Sequence, residues 1–324
     1  MKQFSFLAIA LYLAFAGGGA RDVHAQDYPT KPVRFIVGLA PGGTTDTAAR
    51  IVAQGLVVSW GQNVVVDNRP GAGGTLAADL VVRAPPDGYT LFVGGFGPSA
   101  MAGSLYPKLP YDPASDFAHV TLMVAFPNVL VAPAASPLTG LKDLIEQAKS
   151  KPGVLKYGSS GVGGSGHVFI ELMNMRAGIS TVHIPYKGGA PALAGLLAGE
   201  VDYVLPGVST ALPLLVAGRI RALGVTSANA TPRLPNVPPI SSVLPGYEAL
   251  EFHGLHAPAK TPRRIIVKLQ QEVAKVLRRP EVKERLDGLA MDVSASTPEE
   301  FTAFIRKQID TWTAVGRAAN VRAD

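Results

Sequence analysis

The residues best placed to do chemistry sit in two glycine-rich stretches. One is Ala40-Pro41-Gly42-Gly43-Thr44-Thr45-Asp46, directly after the apolar run Arg34–Leu39. The other is Ser159-Ser160-Gly161-Val162-Gly163-Gly164-Ser165-Gly166-His167, directly after Lys156–Gly158. Each reads as a strand, a glycine turn and the start of a helix. The first N–H groups of a helix have no partner inside it, and the helix dipole adds positive potential, so an anion binds there. Glycines let a ligand approach the backbone, while Thr44, Thr45, Ser159 and Ser165 add hydroxyl donors. Asp46 falls in the first helical turn, where a carboxylate caps amides. Two such turns fit a clamp on a small carboxylate. A tight turn with an ordinary helix cap is the plain alternative at the first, and a flexible linker turn at the second.

Other chemistries fail on spacing. Gly161, Gly163 and Gly166 satisfy G-x-G-x-x-G, but a dinucleotide fold wants an acid about 20 positions later, and the strand Val182–Tyr186 ends without one. No Walker motif follows either turn. No G-x-S-x-G elbow exists, because His167 stands where the last glycine belongs. His167 and Glu171 are four apart on one helix face, but a metal site needs a third ligand. His183, His253 and His256 read as single core histidines in apolar strands. A nucleophilic enzyme would need a pair such as Ser165 with His183. No cofactor and no metal are expected.

The elements that position the turns follow from the patterning. The 324 residues suffice for two domains, and with 47% hydrophobic and 17% charged residues a sizeable core is expected. Met1–Ala25 has a basic Lys2, an apolar run of roughly 13 residues and small residues before Ala25, which reads as a cleavable export signal too short to span a bilayer. There is no cysteine, so disulfides, thiolate metal sites and a Cys nucleophile are out. The net charge of +6 is spread along the chain without basic runs or interleaved aromatics, which excludes nucleic acid as a partner.

Strand and helix alternate, predicting parallel sheets covered by helices. Strands are expected at Arg34–Leu39, Asn63–Asp67, Tyr89–Val93, Val120–Ala125 and Val129–Ala132. Further strands are expected at Lys156–Gly158, Val182–Pro185, Val201–Leu205, Ile220–Val225 and Ala249–Ala257. The predicted architecture is α/β with two lobes joined by two crossings, the ligand cleft between them. Lobe 1 takes residues 26–126 and 252–324, lobe 2 takes 127–251. Ligands bind beyond strand C-termini in such sheets, so both glycine turns would face the cleft.

Several ordered motifs carry a resemblance. They include Tyr28-Pro29-Thr30-Lys31-Pro32, Ala40-Pro41-Gly42-Gly43, Asn68-Arg69-Pro70-Gly71-Ala72-Gly73-Gly74, Pro86-Asp87-Gly88-Tyr89-Thr90 and Pro185-Tyr186-Lys187-Gly188-Gly189. The chain resembles the Bug family, the periplasmic receptors of tripartite tricarboxylate transporters, along essentially all of the sequence after the export signal. The resemblance implies a Venus-flytrap receptor of the periplasm, without enzymatic activity, serving a large and a small membrane subunit, although many members lack a dedicated transporter. Nothing in the sequence suggests an obligate dimer, so a monomer is expected. It implies ligand contacts from Gly42, Gly43, Thr44 and Asp46 on one lobe, and Ser159, Gly163, Gly164, Ser165 and His167 on the other. Gly95 and Phe96 would line the same cleft, with Leu39, Pro41, Pro206 and Gly207 beside them. Where the family commonly has an aspartate, this chain has Pro206. A less acidic distal pocket is therefore expected, suited to a plain mono- or dicarboxylate. A secreted hydrolase on this scaffold and a co-receptor for a membrane sensor are the alternatives.

Overall fold

The computed structural model describes residues 28–106, 108–319 and 321. The expected export signal lies outside the described residues. The chain first lays down β1 (Val33–Val37), α1 (Thr44–Trp60), β2 (Val64–Asn68), α2 (Thr75–Val82), β3 (Thr90–Gly95), α3 (Ala102–Leu105) and β4 (Phe117–Pro127). Then come β5 (Val129–Pro133), α4 (Leu141–Ser150), β6 (Lys156–Ser159), α5 (Ser165–Ala177), β7 (Val182–Pro185), α6 (Gly189–Leu197), β8 (Tyr203–Val204), α7 (Val208–Val216) and β9 (Ile220–Val225). It closes with β10 (Leu250–Pro258), α8 (Arg263–Leu277), α9 (Pro280–Asp287), β11 (Asp292–Val293) and α10 (Pro298–Ala318).

Two open sheets result, in the orders β11-β4-β10-β3-β1-β2 and β7-β6-β8-β5-β9. The α/β class with two sheets is as the sequence predicts, but the sheets are mixed rather than parallel. β1 pairs parallel with β2 and β3, and β6 pairs parallel with β7 and β8. β10 runs antiparallel to β3 and β4, and β5 antiparallel to β8 and β9. The cause is the connection between the sheets. The chain leaves the first sheet along β4, passes Asn128 and continues as β5, then returns along β10. Strands carrying the chain out and back through one waist point in opposite directions, so Leu250 to Pro258 pair with Pro127 to Phe117.

The central strands are apolar on both faces because helices cover both. In β1, Val33, Phe35, Ile36 and Val37 are fully buried. Leu269, Val273 and Val276 of α8 pack against Ile51 and Val52 of α1 and Val120 of β4, so the C-terminal helices complete the first sheet's core. A second cluster joins the two halves: the Phe96 ring centroid lies 4.9 Å from Phe169 and 5.0 Å from Trp312. The proline-containing stretch after β3 is one helical turn over Gly97–Met101 leading into α3. Pro98 stands at its start, where a missing N–H costs nothing.

Candidate functional site

Four helices begin at the C-terminal ends of strands and point their first turns at one place. Their N-cap residues are Gly43 for α1, Gly164 for α5, Gly188 for α6 and Gly207 for α7. No side chain caps any of them, so their leading N–H groups are left for something else to satisfy. Between them lies a cleft of about 580 Å³ of atom-free space, its mouth included, lined by Gly43, Thr44, Ser165, Gly188, Gly207 and their neighbours. A second cavity of about 400 Å³ adjoins it, with Leu39, Ser160, Ser165 and Glu251 common to both. Neither lining contains a lysine, an arginine or a histidine; Glu251 is the one ionisable side chain in either. An anion here would be held by amides and hydroxyls, in a field set by helix ends.

The walls of the cleft meet at several points. A Cβ placed on Gly73, in the turn before α2, would stand 2.9 Å from the Val162 carbonyl oxygen on the opposite side. One on Gly207 would stand 2.6 Å from Thr44 Cγ2, and one on Gly188 3.5 Å from Ala40 Cβ. Glycine at 73 and 207 is what allows so close an approach, whereas the Gly188 spacing is an ordinary contact.

Of the residues picked out in the sequence, Leu39, Pro41, Gly43, Thr44, Ser159, Ser165, Pro206 and Gly207 line the larger cavity. Gly95, Phe96 and Gly164 line the smaller one. Gly42, Asp46, Gly163 and His167 line neither, for the same reason in both turns. The Gly42 N–H donates to Asp46 Oδ2 (3.0 Å), and the Gly163 N–H donates to His167 Nδ1 (3.1 Å). Each pair braces a glycine to a side chain four residues on, which shapes the turn. Asp46 also pairs with Arg50 at 2.9 Å. Burial pushes its carboxyl up, but the bonds from Arg50 and the Gly42 amide outweigh that and hold it below the ordinary carboxylate range. A lowered folded-state pKa stabilises the protein above the unfolded value and loses that contribution as pH falls. Asp46→Asn is therefore expected to cost about 1–2 kcal/mol at neutral pH, shrinking below about pH 4, as read by urea melts across pH.

The histidines are not single. The His167 and His183 rings stack 3.8 Å apart at 11°. His183 Nε2 meets Ser159 Oγ at 2.6 Å, and His256 Nδ1 meets His119 Nδ1 at 2.9 Å. His253 Nε2 lies 3.0 Å from Thr44 Oγ1 and 3.4 Å from Thr45 Oγ1. Burial lowers His167 to about 4 and His253 to about 3; His183, also pressed by His167, falls to about 3. All three are neutral and weakly basic. The Ser165–His183 pair does not form: Ser165 Oγ donates to Glu251 Oε2 and accepts from Asn128 Nδ2 at 3.3 Å. Glu171 accepts from the Tyr157 hydroxyl at 2.5 Å, while His167 Nδ1 accepts from the Gly163 amide, and among the described residues no third ligand groups with them.

Sequence reasoning missed Asn128, Glu251, Ser160 and the α6 start at Gly188–Ala192, all of which line the larger cavity. The α6 start was readable, since Gly188-Gly189 after β7 repeats the strand, glycine pair and helix pattern of the first turn. Asn128 and Glu251 had no local signal. The two crossings alone bring them together.

The sequence profile of the tripartite tricarboxylate transporter family receptors (TctC) matches residues 48–321. The chain belongs to this receptor family. The chain is 34% identical over 316 residues to the BugT protein of Bordetella pertussis, with 97% of each chain covered. Its fold superposes on Rpa4515 of R. palustris, solved with adipate, at a TM-score of 0.88 and 35% identity, covering 91% of this chain and 100% of that one. It superposes on MatC of Rhodopseudomonas palustris, solved with malate, at 0.85 and 33% identity, covering 89% and 99%. The Bug-type resemblance read from the motifs is thus the family of this receptor.

Proposed function

We propose that this receptor works in the periplasm, exported by residues 1–25, and captures a small organic carboxylate between its two halves. The lobes are residues 26–126 with 252–324, and 127–251. The observation that carries the reading is the convergence of four uncapped helix N-termini on a cleft without a basic side chain. Such a site offers an anion many amides and no competing counter-ion. Relatives solved with adipate and with malate support a plain carboxylate as the ligand class. The captured acid is handed to the membrane subunits of a tripartite transporter, and the receptor acts as a monomer without turnover. A co-receptor for a membrane sensor would bind by the same physics and differ only in its partner.

Calorimetric titration with succinate, malate, adipate and benzoate tests the ligand class, and Gly43→Val tests the clamp. A Cβ on Gly43 meets only the Ala40 oxygen at 3.7 Å, so the turn keeps its shape while a side chain intrudes on the amides. Affinity should fall at least about tenfold, roughly 1.4 kcal/mol, with circular dichroism unchanged. Unaltered affinity in this variant would remove the amide clamp from the account.

A further inference from the structure

Glu251 sits at the start of β10, where the second crossing re-enters the first sheet, paired with Phe126 on the first crossing. Only 8% of it is exposed, and it lines both cavities. Its carboxyl accepts the Ser165 hydroxyl, on the first residue of α5. It therefore occupies the helix N-terminus that a ligand carboxylate is proposed to use. Two ionised carboxylates confined to one buried site repel strongly, and such pairs relieve the repulsion by holding a proton.

We propose that Glu251 takes up a proton when the cleft captures a carboxylate, so that ligand binding is coupled to protonation of this side chain. The inference rests on the carboxylate-receptor reading above. The balance is simple: an ionised Glu251, one solvent proton and the ligand anion give a neutral Glu251 beside the bound anion. A neutral carboxyl also gains an O–H donor, which an anionic ligand can accept.

The titratable groups on the elements around Glu251 are His253 and His256 on β10, His119 on β4, Asp46 and Arg50 on α1, His167, Glu171 and Arg176 on α5 and Asp79 on α2. Arg176 is exposed in the last turn of α5 and donates to the Pro245 carbonyl oxygen. Asp46 and Arg50 neutralise one another, as do Asp79 and Arg83. Burial lowers His119 and His167 to about 4 and His253 to about 3, and holds His256 well below its ordinary value. What acts on Glu251 is burial, which pushes it up to about 7, opposed by hydrogen bonds from Ser165 and Asn128. The empty site is thus poised to exchange a proton near neutrality.

Titration of the wild-type protein with succinate, malate, adipate and benzoate, in buffers of different ionisation enthalpy, counts the protons directly. Above about pH 6 these acids are ionised, so uptake reports the protein. The expected result for whichever acid binds tightest is close to one proton taken up at about pH 8, and affinity roughly tenfold weaker than at about pH 6. Glu251→Gln, which keeps an acceptor for Ser165, should take up none and bind roughly tenfold tighter than wild type at about pH 8. Binding with no proton uptake and a flat pH profile overturns the coupling and leaves the receptor reading standing. Loss of binding in Glu251→Gln without proton uptake in wild type also overturns it, and makes the ionised carboxylate the form that binding needs. Failure of all four acids to bind at either pH brings down the receptor reading and the inference with it.

Discussion

Gly73→Ala is expected to weaken ligand capture about ten- to a hundredfold while costing the ligand-free protein only about 1–2 kcal/mol. The two numbers separate because the substitution does two different things. Gly73 has φ +62, a left-handed conformation that strains any L side chain whether the lobes are apart or together. That strain appears as lost stability. The added Cβ would also stand 2.9 Å from the Val162 carbonyl oxygen across the cleft, a contact that exists only when the walls meet. Backbone cannot rotate aside as a side chain can, so the lobes must stay slightly apart, and the cost falls on the form in which the walls meet. Gly207→Ala is the internal comparison. Its Cβ meets the Thr44 methyl, which can rotate away, and the Phe126 ring at 3.1 Å, which need give only by a few tenths of an ångström, while its φ of −59 carries no strain. A severalfold loss at most is expected there. Calorimetric affinities set beside urea melts of the ligand-free variants read both quantities. Equal affinity in wild type and Gly73→Ala would mean that capture does not require this closure.

Phe96→Ala is expected to destabilise the protein by about 3–5 kcal/mol, the usual cost of emptying a large buried aromatic site. Phe96 was expected to line the cleft, and one edge of it does border the smaller cavity. The residue is nonetheless fully buried, with rings of Phe169, Phe252 and Trp312 around it at 4.9 to 6.4 Å. Phe169 belongs to α5 beside the second sheet, Phe252 to β10 and Trp312 to α10. The ring therefore joins three parts of the chain that are distant in sequence, and its loss opens a void none of them can fill alone. Chemical denaturation should show the midpoint drop with a single transition retained. A loss below about 1 kcal/mol would mean that the cluster has little energetic role.

What the sequence made readable was whatever is written locally. A continuous apolar run such as Phe35-Ile36-Val37 can only be a covered strand, and a glycine pair after such a run can only turn. Both glycine turns and the β9 bounds Ile220–Val225 followed from that. The two-residue strand β11 escaped because two residues make no pattern. Strand direction escaped because it depends on the chain passing twice between sheets, which no window of sequence contains. The same passage brings Asn128 and Glu251 to the floor of the cleft. A lone acid at the head of an apolar strand looks like a strand-end residue until the fold places it against Ser165. The histidines were misread as single for a related reason. His183 meets His167, and His256 meets His119, only through neighbouring elements. Pro206 does line the cleft, and Glu251 adds one acid to it from another strand, which the Pro206 position alone could not reveal.

The most direct test of the central claim is a crystal structure of the receptor with the acid it binds tightest. The account predicts a carboxylate seated between the α1 and α5 starts, its oxygens within hydrogen-bond reach of the Thr44 and Ser165 amides. A ligand bound outside this cleft, or held there by a lysine or arginine side chain instead of amides, would contradict it.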